Sequence, residues 1–162
     1  MTDESISGGP LDIATLEVLA QRAESHPLVD GWRFQPDQMS PRHLELTLAE
    51  EQYPGPVEPA RLDVRWYESG DYSVHYLETR TDDRWQCRWD RHPKPDAPRA
   101  HVNPPPDANS VGEAAGFQDG HHLAVLFGIL DWLTERIETL YDDARALSSY
   151  SLSSLVEALV DD

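Results

Sequence analysis

The fold is decided by residues 61–91, which read RLDVRWYESGDYSVHYLETRTDDRWQCRWDR. Apolar and polar residues alternate along three parts of this stretch, and two short polar segments containing glycine or aspartate interrupt the alternation. Alternation with a period of two predicts half-buried strands, and the interruptions predict turns. The predicted strands are Arg61–Glu68, Tyr72–Thr79 and Arg84–Asp90, with turns at 69–71 and 81–83. Together they form an antiparallel meander.

Helices and further strands flank this meander. Leu11–Ser25 has apolar residues at helical spacing and ends before Pro27, and a longer helix, His121–Ala146, begins after Asp119. The other predicted elements are strands at Val29–Phe34 and His43–Ala49 and a short helix at Leu152–Val160. The predicted fold class is α+β: an antiparallel β-sheet, a meander of about four to five strands, packed on one face by an N-terminal helix and a long C-terminal helix.

The predicted elements belong to one domain, because 162 residues suffice for a single core. We expect residues 1–10 to form a flexible tail and residues 11–162 to form a single α+β domain. Residues 93–120 are rich in proline, glycine and aspartate, which predicts a long loop. Loops of that length inside a compact domain are often functional.

The pleat of the meander divides its side chains between two faces. The apolar face is expected to meet the helices, and its residues are Leu62, Val64, Trp66, Tyr72, Val74, Tyr76, Trp85, Cys87 and Trp89. The other face, called the open face below, is polar: Asp63, Arg65, His75, Arg84, Gln86, Arg88 and Asp90. Cys87 and most of the five tryptophans are therefore interpreted as packing residues.

Acidity dominates the composition. The formal net charge is −17, from 30 acidic and 13 basic residues, and Lys94 is the single lysine. Scattered carboxylates with almost no lysine indicate a halophilic protein, since concentrated salt screens their repulsion. The alternative is an ordinary acidic protein such as a nucleic-acid mimic. We expect a cytoplasmic protein with no membrane partner, because no apolar run is long enough to span a bilayer and the N-terminus lacks a signal-peptide core.

The negative charge is unevenly distributed along the chain. Residues 61–101 contain eight basic and eight acidic groups, whereas the other 121 residues contain five basic and 22 acidic groups. Three of the seven histidines, His75, His92 and His101, also lie in the neutral segment. A concentration of arginine and histidine in a chain that otherwise has few cations points to this segment as the place of function.

Candidate site residues follow from that segment. Arginine binds phosphate through two parallel hydrogen bonds, and a histidine near a carboxylate can transfer protons. The candidate catalytic residues are Arg88, Asp90, His92, His101 and His75, and the candidate substrate-binding residues are Arg65 and Arg84. The alternative interpretation is that these charges form ordinary cross-strand ion pairs. No metal site and no cofactor are predicted, because the histidine spacing matches no standard signature.

Parts of the neutral segment resemble a known family. SGDYSVHY at 69–76, WQCRWDRHP at 85–93 and the histidine–proline run at 101–106 resemble the TumE-like toxin family of toxin–antitoxin systems, in its haloarchaeal version. The resemblance covers roughly residues 61–106. It implies a toxin, a small DNA-binding antitoxin-like protein as partner, and activity on RNA or another nucleic acid.

Three functions remain open at this point. A ribonuclease-like hydrolase would use one histidine as general base on a 2′-hydroxyl, another as general acid, and Arg88 to stabilise the transition state. A non-catalytic protein-binding module would instead bind a partner through the open face or the C-terminal helix. A regulatory homodimer would associate through an edge strand or the helix that contains Trp132.

Overall fold

Six strands follow one another in the sheet in the same order as in the chain, in a computed structural model of the protein. Residues 9–55, 60–80, 83–93, 99–108, 116–117 and 119–160 are described. The strands are β1 (Val29–Gln35), β2 (His43–Leu48), β3 (Arg61–Trp66), β4 (Tyr72–Arg80), β5 (Asp83–Arg91) and β6 (Ala100–Asn103). All neighbours are antiparallel, which confirms the predicted α+β meander with one strand more than the expected four to five.

Two helices cover one face of this sheet. α1 (Ile13–Ala23) begins at Asp12, whose carboxylate accepts a hydrogen bond from the Thr15 amide at 3.0 Å. α2 (His122–Val160) follows Asp119, whose carboxylate accepts from the His121 amide at 3.0 Å. α2 is one continuous helix where the sequence predicted two. No proline or glycine follows Gly128 within it, so the serines near residue 150 do not interrupt it.

The core lies between the helices and the apolar face of the sheet. The pleat directs alternate residues of β2, β3, β4 and β5 into it, as the alternation predicts. α2 contributes Val125, Leu126, Ile129, Leu130, Leu133 and Ile137. The indole ring of Trp132 stacks on Trp85 and meets Trp89 edge to face, with ring centroids 5.9 and 5.2 Å apart. These tryptophans are therefore packing residues.

One carboxylate lies on the core side. Glu78 is fully buried, and its carboxylate accepts a hydrogen bond from Arg136 on α2 at 2.7 Å. The hydroxyl of Tyr76 donates to the same side chain at 3.3 Å, and the Arg136 guanidinium lies 3.6 Å above the Trp85 ring. This network joins the sheet to α2 at a specific register, because a buried charge is costly unless it is paired.

β6 lies inside the segment 93–120 that the sequence predicted as a loop. It pairs with β5 and places His101 opposite Asp90 and Asn103 opposite Arg88. Gly116 then packs against β6. Its amide donates to the Ala100 carbonyl oxygen, and a Cβ at Gly116 would lie 3.0 Å from the backbone nitrogen of His101. The strand escaped prediction because it has only four residues and its pairing is non-local.

Two other expectations concern the chain termini and membranes. The predicted tail, 1–10, lies outside the described residues except for Gly9 and Pro10. The Pro10 carbonyl accepts a hydrogen bond from the Glu68 amide at 3.0 Å. Neither of the two helices in the described ranges has the uninterrupted apolar stretch that crossing a bilayer requires.

The packing of α2 on the sheet can be tested by replacing leucine with alanine at a buried and at an exposed position of the helix. Leu130 is fully buried and Leu147, on the same helix, is 69 % exposed. Leu130→Ala should lower the free energy of unfolding by about 2–5 kcal/mol, because it leaves a cavity. Leu147→Ala should change it by less than about 0.5 kcal/mol. Urea denaturation followed by circular dichroism measures both, and equal effects would contradict the described packing.

Candidate functional site on the open face of the sheet

The open face carries a row of polar side chains that crosses five strands. The register aligns Glu45 with Asp63, Asp63 with His75, His75 with Arg88 and Arg88 with Asn103. A second row aligns Arg65 with Ser73, Ser73 with Asp90 and Asp90 with His101. Neighbouring strands lie about 4.8 Å apart, so residues within a row are direct neighbours. The meander thereby collects polar groups that are far apart in the chain.

Asp90 is the centre of the tightest polar cluster. Its side chain is buried although it lies on the open face. Oδ2 accepts hydrogen bonds from Arg88 Nε at 2.8 Å and from Asn103 Nδ2 at 2.7 Å. The same oxygen lies 3.8 Å from Nε2 of His101, which is also buried. The carboxylate is thus held by one side chain from β5 and one from β6, with Arg88 supplying the positive charge that its burial requires and His101 packed nearby.

His92 completes this group just beyond the end of β5. Its ring lies edge to face against the His101 ring, with the centroids 4.9 Å apart. Its Nδ1 lies 3.1 Å from the Pro93 carbonyl oxygen, so Nδ1–H donates, and in the neutral tautomer that makes this bond the lone pair is on Nε2. We call Arg88, Asp90, His92, His101 and Asn103 the Asp90 cluster.

Some of these groups are also suited to metal binding. One ligand atom from each of Asp90, His92 and His101 lies within 4.8 Å of the others, and His43, Glu45 and Asp63 form a second such set. Two histidines and a carboxylate are a common ligand set for transition metals. In the first set, however, Oδ2 of Asp90 already accepts two hydrogen bonds, one of them from a cation. The absence of a metal remains a prediction.

His75 lies beside Arg88 in the row of β4 and β5. Its Nε2 is 2.9 Å from Gln86 Oε1, an arrangement in which Nε2–H donates to the amide oxygen. Burial lowers the pKa of His75, and the hydrogen bond to Gln86 opposes this only in part. The ring is therefore neutral near pH 7 and is available to accept a proton.

The two predicted substrate-binding arginines lie in different places. Arg65 is on β3, two strands from Asp90, and it lines a cavity of about 450 Å³. Arg84 is exposed near the start of β5, six residues from Asp90, which is about 20 Å along a strand. The structure therefore brings Arg88, Asp90, His92 and His101 together, places His75 beside Arg88, and leaves Arg84 remote.

Residues outside the sequence candidates also contribute to this face. Asn103 donates a hydrogen bond to Asp90. It was not selected from the sequence because residues 93–120 were predicted to be a loop, which gives no position relative to β5. The lining of the cavity includes Arg42 and His43, which sequence reasoning did not select. The signal that could have identified them is the Arg42-His43 pair itself, which lies at the start of the alternating residues of β2. Cys87 is buried on the opposite face, and burial raises the pKa of its thiol to about 12, so it is a packing residue.

The Asp90 cluster can both bind an anion and move a proton. The Arg88 side chain is 40 % exposed, so the guanidinium nitrogens that do not bind Asp90 are accessible. His92 is partly exposed, whereas His101 is buried beside Asp90. An accessible guanidinium and an accessible imidazole near the same carboxylate suit reactions at a phosphate or carbonyl group.

Comparison with known proteins gave one result. A family model described as Toxin TumE matches residues 16–137. The match covers more than half of the chain and includes all six strands and the first part of α2. No curated protein and no solved structure matched the chain.

Acidification should destabilise the protein through His75. Between its lowered pKa and the ordinary value of 6.5, the unfolded chain binds a proton that the folded chain does not. This contribution to stability is complete above about pH 6.5 and is lost as the pH falls. His75→Gln should therefore reduce the fall in the free energy of unfolding between about pH 7.5 and 5.5, measured by urea denaturation. His26→Gln, outside the sheet, is the control, and an unchanged slope in His75→Gln would contradict the effect of burial.

Proposed function

This chain belongs to the TumE toxin family, and we propose that it is the toxin of a toxin–antitoxin pair and cleaves RNA at the Asp90 cluster. The observation that supports this proposal best is the Asp90 cluster itself. It combines an accessible arginine, a pair of histidines in ring contact and a buried carboxylate on the least acidic part of the chain. The family match independently supports a toxin-like protein.

The proposed reaction is an attack by the RNA on its own backbone. The 2′-oxygen forms a bond to phosphorus while the bond from phosphorus to the 5′-oxygen breaks, which leaves a 2′,3′-cyclic phosphate. His92 Nε2 takes the proton of the 2′-hydroxyl, and the histidine pair returns that proton to the departing 5′-oxygen. Asp90 stabilises the positive charge that the pair carries between these steps.

Arg88 is assigned the charge that develops on the phosphate. Its Nε is engaged by Asp90, which orients the guanidinium without occupying its outer nitrogens. Those nitrogens are fixed donors toward the non-bridging oxygens, so they need no reorganisation during the reaction. His75 stands beside Arg88 in the register and is assigned to positioning of the same phosphate.

Induced expression tests the proposal. The wild-type chain should arrest growth and cleave RNA, whereas His92→Gln and Arg88→Gln should each lower the cleavage rate by about 100-fold or more. Growth and the cleavage of a defined RNA are measured together. The controls are Arg22→Gln on α1 and His121→Gln at the exposed start of α2, which should behave as wild type.

The same assay separates the alternatives. Equal growth arrest by the wild type and both cluster variants, without RNA cleavage, would contradict the hydrolase and favour a non-catalytic protein-binding module. We further propose a DNA-binding antitoxin-like protein as partner, whose co-expression should restore growth. If the chain does not bind such a protein, the proposal of this partner is wrong. A regulatory homodimer would appear as a dimer in light scattering at molar salt.

We also propose that the protein is halophilic and works in a concentrated-salt cytoplasm. With a net charge of −17, the folded chain repels itself unless salt screens its carboxylates. The short Debye length of about 3 Å at 1 M salt confines each charge to its nearest neighbours.

The melting temperature should therefore rise when potassium chloride is increased from about 0.2 to 2 M. Circular dichroism during heating measures it. A variant in which the exposed Asp131, Glu135, Glu138 and Asp143 of α2 are replaced by their amides is the matched comparison. The melting temperature of this variant should depend less on salt than that of the wild type. A melting temperature independent of salt in the wild type would show that the acidity has another origin.

A further inference from the structure

A cavity of about 450 Å³ opens on the open face at the β1–β3 side of the sheet, away from the Asp90 cluster. Arg42, His43 and Arg61 form much of its wall together with Asp63 and Arg65. We call it the arginine groove. It combines three arginines in one concave site of a chain whose net charge is −17.

The acidic groups of the groove are already neutralised within the protein. Arg61 Nε donates to both oxygens of Asp63, at 3.2 and 3.3 Å. Glu45, which also lines the groove, accepts from Arg33 Nε at 3.3 Å. Both carboxylates are therefore compensated before any ligand arrives, and they oppose an anion less than free carboxylates would.

Two guanidinium groups of the groove remain without a carboxylate. Among the residues that the structure describes, Arg42 and Arg65 are exposed and make no ion pair, as is also true of Arg84 farther along the face, whereas Arg33, Arg61 and Arg88 each make one. Two guanidinium groups that line the same cavity present planar N–H donors, from which phosphate oxygens accept hydrogen bonds.

The register connects the groove to the Asp90 cluster. Arg65 pairs with Ser73, and Ser73 pairs with Asp90, so Arg65 lies two strands, about 10 Å, from the cluster. Ser73 has a short side chain and leaves the row between them open. One phosphate cannot contact both places, but successive nucleotides of one strand can.

We propose that the arginine groove binds a phosphodiester of the RNA next to the one that is cleaved, with Arg42 and Arg65 as its ligands. The inference rests on the proposed function and extends it, because it assigns binding of the substrate backbone to a place separate from the chemistry. Single-stranded RNA then crosses the sheet along the row from Arg65 through Ser73 to Asp90 and His101.

The test uses a short single-stranded RNA that is 2′-O-methylated and therefore cannot be cleaved. Its affinity is measured by fluorescence anisotropy over a series of salt concentrations. Arg42→Gln and Arg65→Gln should each weaken binding by about tenfold. Each should also make the slope of log K against log salt less steep, by about one unit. Arg22→Gln, exposed on α1 and away from the sheet, should bind as the wild type does. Melting temperatures confirm that each variant is folded.

Two further variants sharpen the result. Arg42→Lys keeps the charge but loses the planar fork, so it should retain the salt slope and recover only part of the affinity. His121→Gln, at the exposed start of α2, should bind the methylated RNA as the wild type does, because it changes a histidine outside the row. Inorganic phosphate at the same concentration as the RNA should not displace it, since a single phosphate contacts only one part of the row.

The outcomes distinguish this inference from the proposed function. If Arg42→Gln and Arg65→Gln bind methylated RNA like the wild type while cleavage still depends on His92, the groove is not a substrate site and the hydrolase stands. If both variants lose binding but no form of the protein cleaves RNA, the groove binds phosphate and the hydrolase fails. Displacement of the RNA by inorganic phosphate would overturn the extended path and leave a site for a single anion.

Discussion

The pleat of an antiparallel strand is the constraint on which the rest of this structure depends. Successive side chains of a strand must point to opposite faces, so a strand that contributes to the core also exposes every second residue. β5 illustrates the consequence: Cys87 and Trp89 are buried against the helices, while Arg88 and Asp90 between and beside them reach the open face. Because both helices cover the same face, the other is free to carry polar groups across all six strands.

Two arginine–carboxylate pairs show how the faces differ. Glu78 and Arg136 are enclosed between the sheet and α2, with 0 and 15 % of their side chains exposed. Their environment suits a structural role, since a broken buried pair costs about 3–5 kcal/mol. Asp90 is almost as deeply buried, but the side chain of its partner Arg88 is 40 % exposed. The second pair therefore keeps a cation within reach of a ligand, which is why the proposed chemistry is placed there.

The sequence predicted those features that depend on neighbours along the chain. Alternation within residues 61–91 predicted three strands and both of their faces. Arg88 and Asp90 came from the same stretch, and His92 directly follows it. β6 was missed because four residues before a proline run carry little periodicity, so its pairing with β5 was invisible. Asn103 was missed for the same reason. The arginine groove was missed because it is formed by β1, β2 and β3 together.

Net charge limits how such a protein can bind a polyanion. At a distance the chain repels RNA, because 30 acidic residues outnumber 13 basic ones. Repulsion between separated charges is screened strongly by salt, whereas a direct hydrogen bond between groups in contact is screened less. The proposed affinity for RNA would therefore have to come from short contacts at a few unpaired cations rather than from a broad basic surface. Arg42, Arg65 and the outer nitrogens of Arg88 meet that requirement, and they lie along the face on which the acidic groups are already paired.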